Sequence, residues 1–340
     1  MTEQELMTRA AWLYYVAGMN QEATSLRLGL TRARVNRLLQ QSREAGIVSI
    51  SVNERDLGLL KVEETLRARF GLEECIATAP LELETTGAAR GKALDQKAVL
   101  RLVGAAGAGL LRDRLATDPD AIVGTGWGRT LAALAKALSR VTAPEARFVS
   151  LMGSLTSNSA FNPFDVVQTL AQSTGGEGFF IPVPFIVDSA KDRALLLSQR
   201  AVLAPLALAH KADLAFISVG ELTEDSLLFR QKMITEEELV ELRKLGAVGD
   251  TNGIFFDAEG RPVDHSLNWR SIAVGLDELR GTHTVLLSAG ESKLAATEAL
   301  LKSGTISGLV IDGDSAIRLA ASRTVALGAA NRATGRAGAL

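Results

Sequence analysis

A single cysteine, Cys75, is all the thiol in 340 residues, which excludes an internal disulfide framework and any multi-thiolate zinc site within one chain. Histidine is nearly as scarce. His210, His265 and His283 stand too far apart to suggest a metal cluster, and neither metal nor cofactor is expected. Charge of neither sign prevails: 37 basic residues face 39 acidic ones, a net charge of −2. Any surface for nucleic acid must therefore be local. No apolar run approaches the roughly 20 residues of a membrane-spanning helix; the longest lie near Leu102–Leu111 and Ala201–Ala209. The start, Met1-Thr2-Glu3-Gln4-Glu5, is acidic where a secretory signal would be basic and then apolar. A soluble, cytoplasmic protein without a membrane partner is expected. What the chain does have is 47% apolar and 22% charged residues, enough aliphatic material for a large core. Its length calls for two or three domains.

Composition divides the chain. Residues 1–52 are helical in pattern and carry arginine but no lysine; they are expected to form a DNA-binding domain. Residues 53–75 hold Leu59, Leu60, Leu66 and Phe70 at helical spacing before Gly71. They predict a connecting helix capped by that glycine and able to pair with a copy of itself. From about Ile76 to residue 325, β-rich runs alternate with helical patterns. The runs are Ala121–Val123, Ala146–Leu151, Gly178–Pro182, Leu214–Val219, Ile272–Leu276, Thr284–Ser288 and Gly308–Ile311. Helices are expected near Gln96–Leu115, Thr130–Ser139, Asp165–Ser173, Asp192–His210, Glu236–Leu245, Lys293–Lys302 and Ser315–Ala321. This alternation predicts an α/β domain with a mostly parallel, Rossmann-like sheet. Residues 326–340 form a small-residue tail expected to be flexible.

The amino-terminal region carries the sharpest pattern. A helix over roughly Leu6–Val16, with Ala10, Leu13, Tyr14 and the neighbourhood of Trp12 on its packing stripe, stops at Gly18. Asn20 can cap a second helix, Gln21–Leu28, ended by Gly29; Thr31 can cap a third, Arg32–Ala45, closed by Gly46. With only Gly29 and Leu30 between the second helix and the next cap, the order is that of a helix-turn-helix. The alternating run Ile47–Val52 predicts a small wing. On the third helix Val35, Leu38 and Leu39 point inward. Thr31, Arg32, Ala33, Arg34, Asn36, Arg37 and Gln40 are left as the candidate DNA-reading set, in which arginine suits guanine and asparagine or glutamine suits adenine. From Arg27 through Arg43 there are five arginines and no acid, so the local field is positive.

Three glycine-bearing loops follow predicted strands in the α/β region: Gly124-Thr125-Gly126-Trp127-Gly128 with Arg129 and Thr130, Gly153-Ser154, and Gly290-Glu291-Ser292-Lys293. In an open parallel sheet, ligands gather at the carboxyl ends of strands. Glycines there let backbone N–H groups meet an anion at a helix N-terminus, or simply make tight turns. Lys293 opposes the dipole of its helix unless an anion neutralises it; the bland alternative is that it reaches solvent or pairs with Glu291. Asp250, Asn252 and Asp312 suit sugar hydroxyls, or cap turns and helices. Trp127 stacks on a sugar face or plugs the core. Asp264 and His265 fit hairpin structure better than chemistry. The spacing of the first loop is not that of a dinucleotide fingerprint, and no histidine falls in the three loops, which weighs against a nicotinamide oxidoreductase or an acid–base enzyme.

The run AAWLYYVAGMNQEATSLRLGLTRARVNRLLQQSREAGIVSISV resembles the helix-turn-helix of the SorC (SorC/DeoR) family of sugar-binding transcriptional regulators. The resemblance continues through VGTGWGRTL at 123–131, LMGSL at 151–155, DAEGRPVDHSLN at 257–268, VGLDELR at 274–280 and SAGESKLAATEALLKSG at 288–304. It implies a winged helix-turn-helix followed by an effector domain related to sugar-phosphate isomerases and deaminases. Its partners would be operator DNA and a sugar, polyol or sugar-phosphate effector, in a homodimer or homotetramer, and the polyol-catabolism branch is the nearest neighbourhood. Gly124, Thr125, Gly126, Trp127, Gly128, Thr130, Gly153, Ser154, Asp250, Asn252, Gly290, Lys293 and Asp312 are the candidate effector contacts. Two places depart from the family pattern: Glu291, where a glycine is usual after Ala289-Gly290, and Thr251-Asn252, where aliphatic residues are usual. Both bear on which effector is bound. The competing function is a sugar-phosphate isomerase or deaminase with an accessory DNA-binding head.

Overall fold

The structure, a computed structural model, describes residues 2–45, 47–48, 54–81, 89–139, 141–154 and 162–322. Two compact units divide the chain, residues 1–57 and 58–340. The wing expected over Ile47–Val52 lies largely outside the described residues, as do Gly46, Leu155 and the carboxyl-terminal tail.

The first unit holds α1 (Glu3–Ala11), α2 (Gln21–Leu28) and α3 (Arg32–Glu44). Each start is fixed by a side chain: Thr2 and Glu5 form a reciprocal capping box, the Asn20 carboxamide accepts from Ala23 N, and the Thr31 hydroxyl accepts from Arg34 N. Gly29 ends α2 in the left-handed conformation, φ 66°, which costs glycine little and a β-carbon more. Val35, Leu38 and Leu39 pack with Ala10. The first helix departs from expectation. A π-turn over Trp12–Val16 follows α1, and Trp12 itself is 57% exposed instead of lying on the packing stripe.

Helix α4 (Glu54–Phe70) ends at Gly71, φ 68°. From Gly58 onward it belongs to the second unit and is not a free linker. Leu66 is fully buried in that unit's core, with Leu59, Val62 and Phe70 partly buried around it. Arg69 pairs with Glu298 at 2.6 Å and donates to the Leu319 carbonyl. Most of the apolar stripe expected to seek a second copy is thus covered by its own chain, while Leu60 stays 51% exposed.

After α4 come β1 (Glu74–Ala77), α5 (Ala89–Thr117), β2 (Ile122–Thr125), α6 (Arg129–Ala137), β3 (Arg147–Ser154), α7 (Pro163–Thr174), β4 (Glu177–Pro184), α8 (Ala190–Leu197), α9 (Arg200–Ala209) and β5 (Leu214–Ser218). Then follow β6 (Gly220–Glu221), α10 (Leu227–Arg230), α11 (Glu236–Lys244), β7 (Gly249–Thr251), β8 (Ile254–Phe256), α12 (Ser266–Arg270), β9 (His283–Ser288), α13 (Leu294–Lys302), β10 (Gly308–Ile311) and α14 (Gly313–Ala321). Seven strands form one parallel sheet in the order β1-β10-β9-β5-β2-β3-β4. Alternate residues feed two cores. Val123, Phe148, Phe216 and Leu287 meet α5, α6 and α7. Leu151, Ile217, Leu286 and Leu309 meet α4, α9, α13 and α14. Both faces are covered, which is why the strands read as continuous apolar runs. Cys75 lies buried in β1, where desolvation above all, then the Glu63 charge, pushes its thiol up to about 12.

Two predicted elements differ. Ile272–Leu276 is apolar because Ile272 and Val274 are buried, not because it joins the ladder. It crosses the ends of β3 and β4 through isolated bridges, with Val274 N donating to Leu151 O at 2.7 Å. The helix expected over Asp192–His210 is broken at Ser198-Gln199 into α8 and α9. A small antiparallel sheet, β6-β7-β8, was not expected.

Candidate functional site

The sheet reverses direction once. From β2 the chain winds outward through β3 and β4, then returns to lay β5 on the other side of β2 and winds outward again through β9 and β10. At such a switch point adjacent loops leave in opposite directions and a crevice opens at the carboxyl ends. The Gly124–Gly128 loop and the Gly290–Lys293 loop both meet there.

The cleft is lined by Trp127, Gly128 and Arg129 after β2, by Ser218–Glu221 at the end of β5, by Ser226–Leu228, by Asp250 of β7 and by Lys293. Helix α6 starts at Gly128 with no side-chain cap, so its first N–H groups have no intrahelical acceptor. The Ser218 hydroxyl holds the Trp127 carbonyl at 2.8 Å. Trp127 plugs the core among Met152, Phe185, Leu228 and Phe255, and its edge also lines the cleft.

Four charges gather here. Lys293, 8% exposed, sits in a 3₁₀ turn (Glu291–Lys293) before α13. Burial lowers its pKa against the fields of Glu221 and Asp250, with Arg129 adding to the lowering. Among the described residues it closes no ion pair. Glu291, its expected alternative partner, is bonded to Arg318 instead. Asp250 is buried against Gly220, and desolvation raises its pKa to about 7 although Gly253 N–H and Lys293 favour the carboxylate. Glu221 stands 4.0 Å from Arg129. A buried lysine with its acids held at field distance suits an incoming anion; a buried acid titrating near neutrality suits donating to or accepting from a hydroxyl.

The remaining candidates separate. Gly126 N–H is taken by Phe216 O at 3.0 Å, and the Asn252 carboxamide lies so close to its Cα that a β-carbon would collide. Gly124 packs on Leu151 within β2. Thr125 and Thr130 are buried with unpartnered hydroxyls. Asp312 caps α14 through Ser315 N and accepts Gly290 N–H at 2.8 Å, so both its oxygens and that loop N–H are engaged. The Gly153-Ser154 loop does not line the cleft. Gly153 N–H donates to Ile272 O, and the Ser154 hydroxyl accepts from Asn162 Nδ2 at 3.1 Å. His265 caps the start of α12, a structural role but at a helix and not in a hairpin, and no group of three or more potential metal ligands occurs among the described residues. Sequence reasoning missed Arg129, Ser218 and Glu221 as lining residues. For Ser218 and Glu221 the signal is the end of β5, which becomes informative only once β5 is known to lie beside β2.

In the first unit Arg32, Ala33, Asn36, Arg37 and Gln40 are exposed on α3, opposite the buried Val35, Leu38 and Leu39. Gln21 links Asn36 and Arg32 through its amide. Arg34 differs: both Glu3 oxygens accept from its Nη2 at 2.6 Å.

The profile of the Sugar-bind family, a sugar-binding domain, matches residues 55–321. The erythritol catabolism regulatory protein EryD of Brucella abortus (strain 2308) is 34% identical over 310 residues, covering 91% of this chain and 94% of the relative. The transcriptional regulator LsrR of Enterobacter sp. (strain 638) is 30% identical over 324 residues, covering 92% and 91%. Among solved structures, the full-length sorbitol operon regulator SorC of Klebsiella pneumoniae superposes with a TM-score of 0.70 at 24% identity, covering 94% of this chain and 99% of that one.

Proposed function

The chain belongs to the SorC family of sugar-binding transcriptional regulators, and from that premise we propose that it controls carbohydrate or polyol catabolism genes in the cytoplasm, its operator affinity set by an effector held at the β2–β5 switch point. The observation that carries the effector site is the buried Lys293, without a closed ion pair, beside the uncapped start of α6. An anionic end, such as a sugar phosphate, would neutralise Lys293 and accept from the free N–H groups of α6. Asp250 would then take a sugar hydroxyl. Exposed Arg32, Ala33, Asn36, Arg37 and Gln40 of α3 are the proposed base-reading set, with Thr31 holding the helix start. Two-fold operator logic favours a homodimer or homotetramer, which light scattering decides.

Control follows from linkage. An effector that prefers the conformation with lower operator affinity shifts the population toward it. The site is proposed to bind and not to turn over, since no histidine enters the cleft to pair with Asp250. Sugar-phosphate turnover by pure protein, abolished in Asp250→Ala, would reverse that assignment. The principal test measures binding to the protein's own upstream DNA by anisotropy, with and without erythritol, ribitol, sorbitol and their phosphates. Salt-sensitive, sequence-preferring binding that one of them changes is expected. Absence of such binding under every condition would overturn the regulator assignment.

A further inference from the structure

The β7–β8 hairpin turns on Asn252 and Gly253, both in the left-handed region with φ 50° and 75°. Asn-Gly is the preferred pair for a two-residue type I′ turn, and at a protein surface it would need no further account. Here Asn252 is 2% exposed, and neither its Oδ1 nor its Nδ2 has a hydrogen-bond partner. Glycine would supply the same backbone without burying an amide. Leaving such polar groups dry is unfavourable, since each gives up its hydrogen bonds to water and gains none in return.

Two further orphans stand in sequence on either side of Gly126, the residue that the carboxamide packs against. Thr125 directly precedes Gly126, and Thr130 lies in the first turn of α6; both hydroxyls are buried and unpartnered. Of the nine such side-chain atoms among the described residues, four are in these three side chains. The neighbouring Thr251 hydroxyl, by contrast, is fixed to Ser218 O at 3.0 Å. All the orphaned groups are neutral. The hydroxyls and Nδ2 can donate to an alcohol or an anion, whereas Asn252 Oδ1 only accepts and so calls for a donor, which an alcohol has and a phosphate dianion lacks.

We infer that Asn252 is the specificity-determining residue of the effector site. Its carboxamide, packed on Gly126 and two residues from the cleft-lining Asp250, binds hydroxyls of the effector's carbon chain, with Thr125 and Thr130 as further neutral groups beside the charged Lys293 end. The inference rests on the effector assignment above. A site built to hydrogen-bond a hydroxyl rejects the analogue that lacks it far more strongly than an apolar pocket rejects a methylene.

The test uses the full chain, with erythritol 4-phosphate and its 2-deoxy analogue as probes in calorimetry. Wild type is expected to favour the hydroxylated probe at least 10-fold. Asn252→Gly keeps the left-handed backbone and deletes the carboxamide. It should bind both probes alike while unfolding at the same or a higher temperature without ligand. Gly126→Ala, which displaces the carboxamide, should level the two affinities as well. Discrimination retained in Asn252→Gly, its absence in wild type, or a marked loss of thermal stability in the glycine variant would overturn the assignment of Asn252. If wild type binds neither probe nor any other sugar, polyol or sugar phosphate, the effector assignment falls and this inference with it.

Discussion

Lys293 and Asp250 carry opposite perturbations with one cause, the removal of a charge from water. Lys293→Ala should abolish the effector's influence on operator binding yet leave DNA affinity in its absence intact; unchanged tightness for a phosphorylated effector would remove the anion role. Asp250 makes stability depend on pH. Its folded pKa of about 7 stands above the ordinary 3.8, so between those values the folded chain keeps a proton that the unfolded chain has released. Stability therefore falls as pH rises from about 4 to about 7 and levels off above. Lys293 acts in another window: its pKa lies below the ordinary 10.5, so the cost of its buried ammonium is present at lower pH and eases as pH rises through the folded value toward 10.5. Asp250→Asn should flatten the slope between pH 4 and 7 in urea midpoints taken across that range. An unaltered slope would assign the titration to a different group. Both residues were legible in sequence, as a lysine opening a helix after a glycine loop and an acid in a turn-rich stretch. Glu221 was not, because its meaning depends on a neighbour 92 positions earlier, Arg129, which only the strand order brings near.

At the scale of elements, legibility followed capping chemistry. Asn20, Gly29 and Thr31 announced the turn between α2 and α3, because each satisfies a helix end locally and needs no tertiary partner. The β7–β8 hairpin was equally local, with Asn252-Gly253 as its signature, and was overlooked beside its chemistry-bearing acid. Ile272–Leu276 misled for the opposite reason, since burial by crossing the sheet's end and burial within it leave the same apolar run. The exposed face of α3 yields a pair of contrasting predictions. Arg37→Ala should weaken operator binding, with a shallower salt dependence, and leave effector-induced thermal stabilisation intact; loss of both would mean that Arg37 supports the fold. Arg34→Ala should instead lower the stability of residues 1–57 by up to about 1 kcal/mol, because its guanidinium is held by Glu3. A variant with wild-type stability and reduced DNA affinity would return Arg34 to the reading set.

For the whole molecule, the alternation of strands and helices was visible from composition and spacing, while the order β1-β10-β9-β5-β2-β3-β4 was not. Nothing local says that the chain returns past β2 after β4. That return is what brings the Trp127 and Lys293 loops to one cleft and leaves Gly153 and Ser154 outside it. Linkage then binds the molecule's two activities by a reciprocal rule: whatever factor an effector takes from operator affinity, operator DNA must take from effector affinity, and titrations run in both directions should agree. One feature of β1 extends this to the laboratory. Cys75 is the chain's sole thiol, buried and almost wholly protonated at neutral pH, and only a thiolate reacts readily. Modification by a disulfide reagent should therefore wait for the edge strand to open. The sulfur is a native stopwatch for unfolding: its labelling rate should slow when effector is added, and the protein can be stored and assayed in air without a reductant.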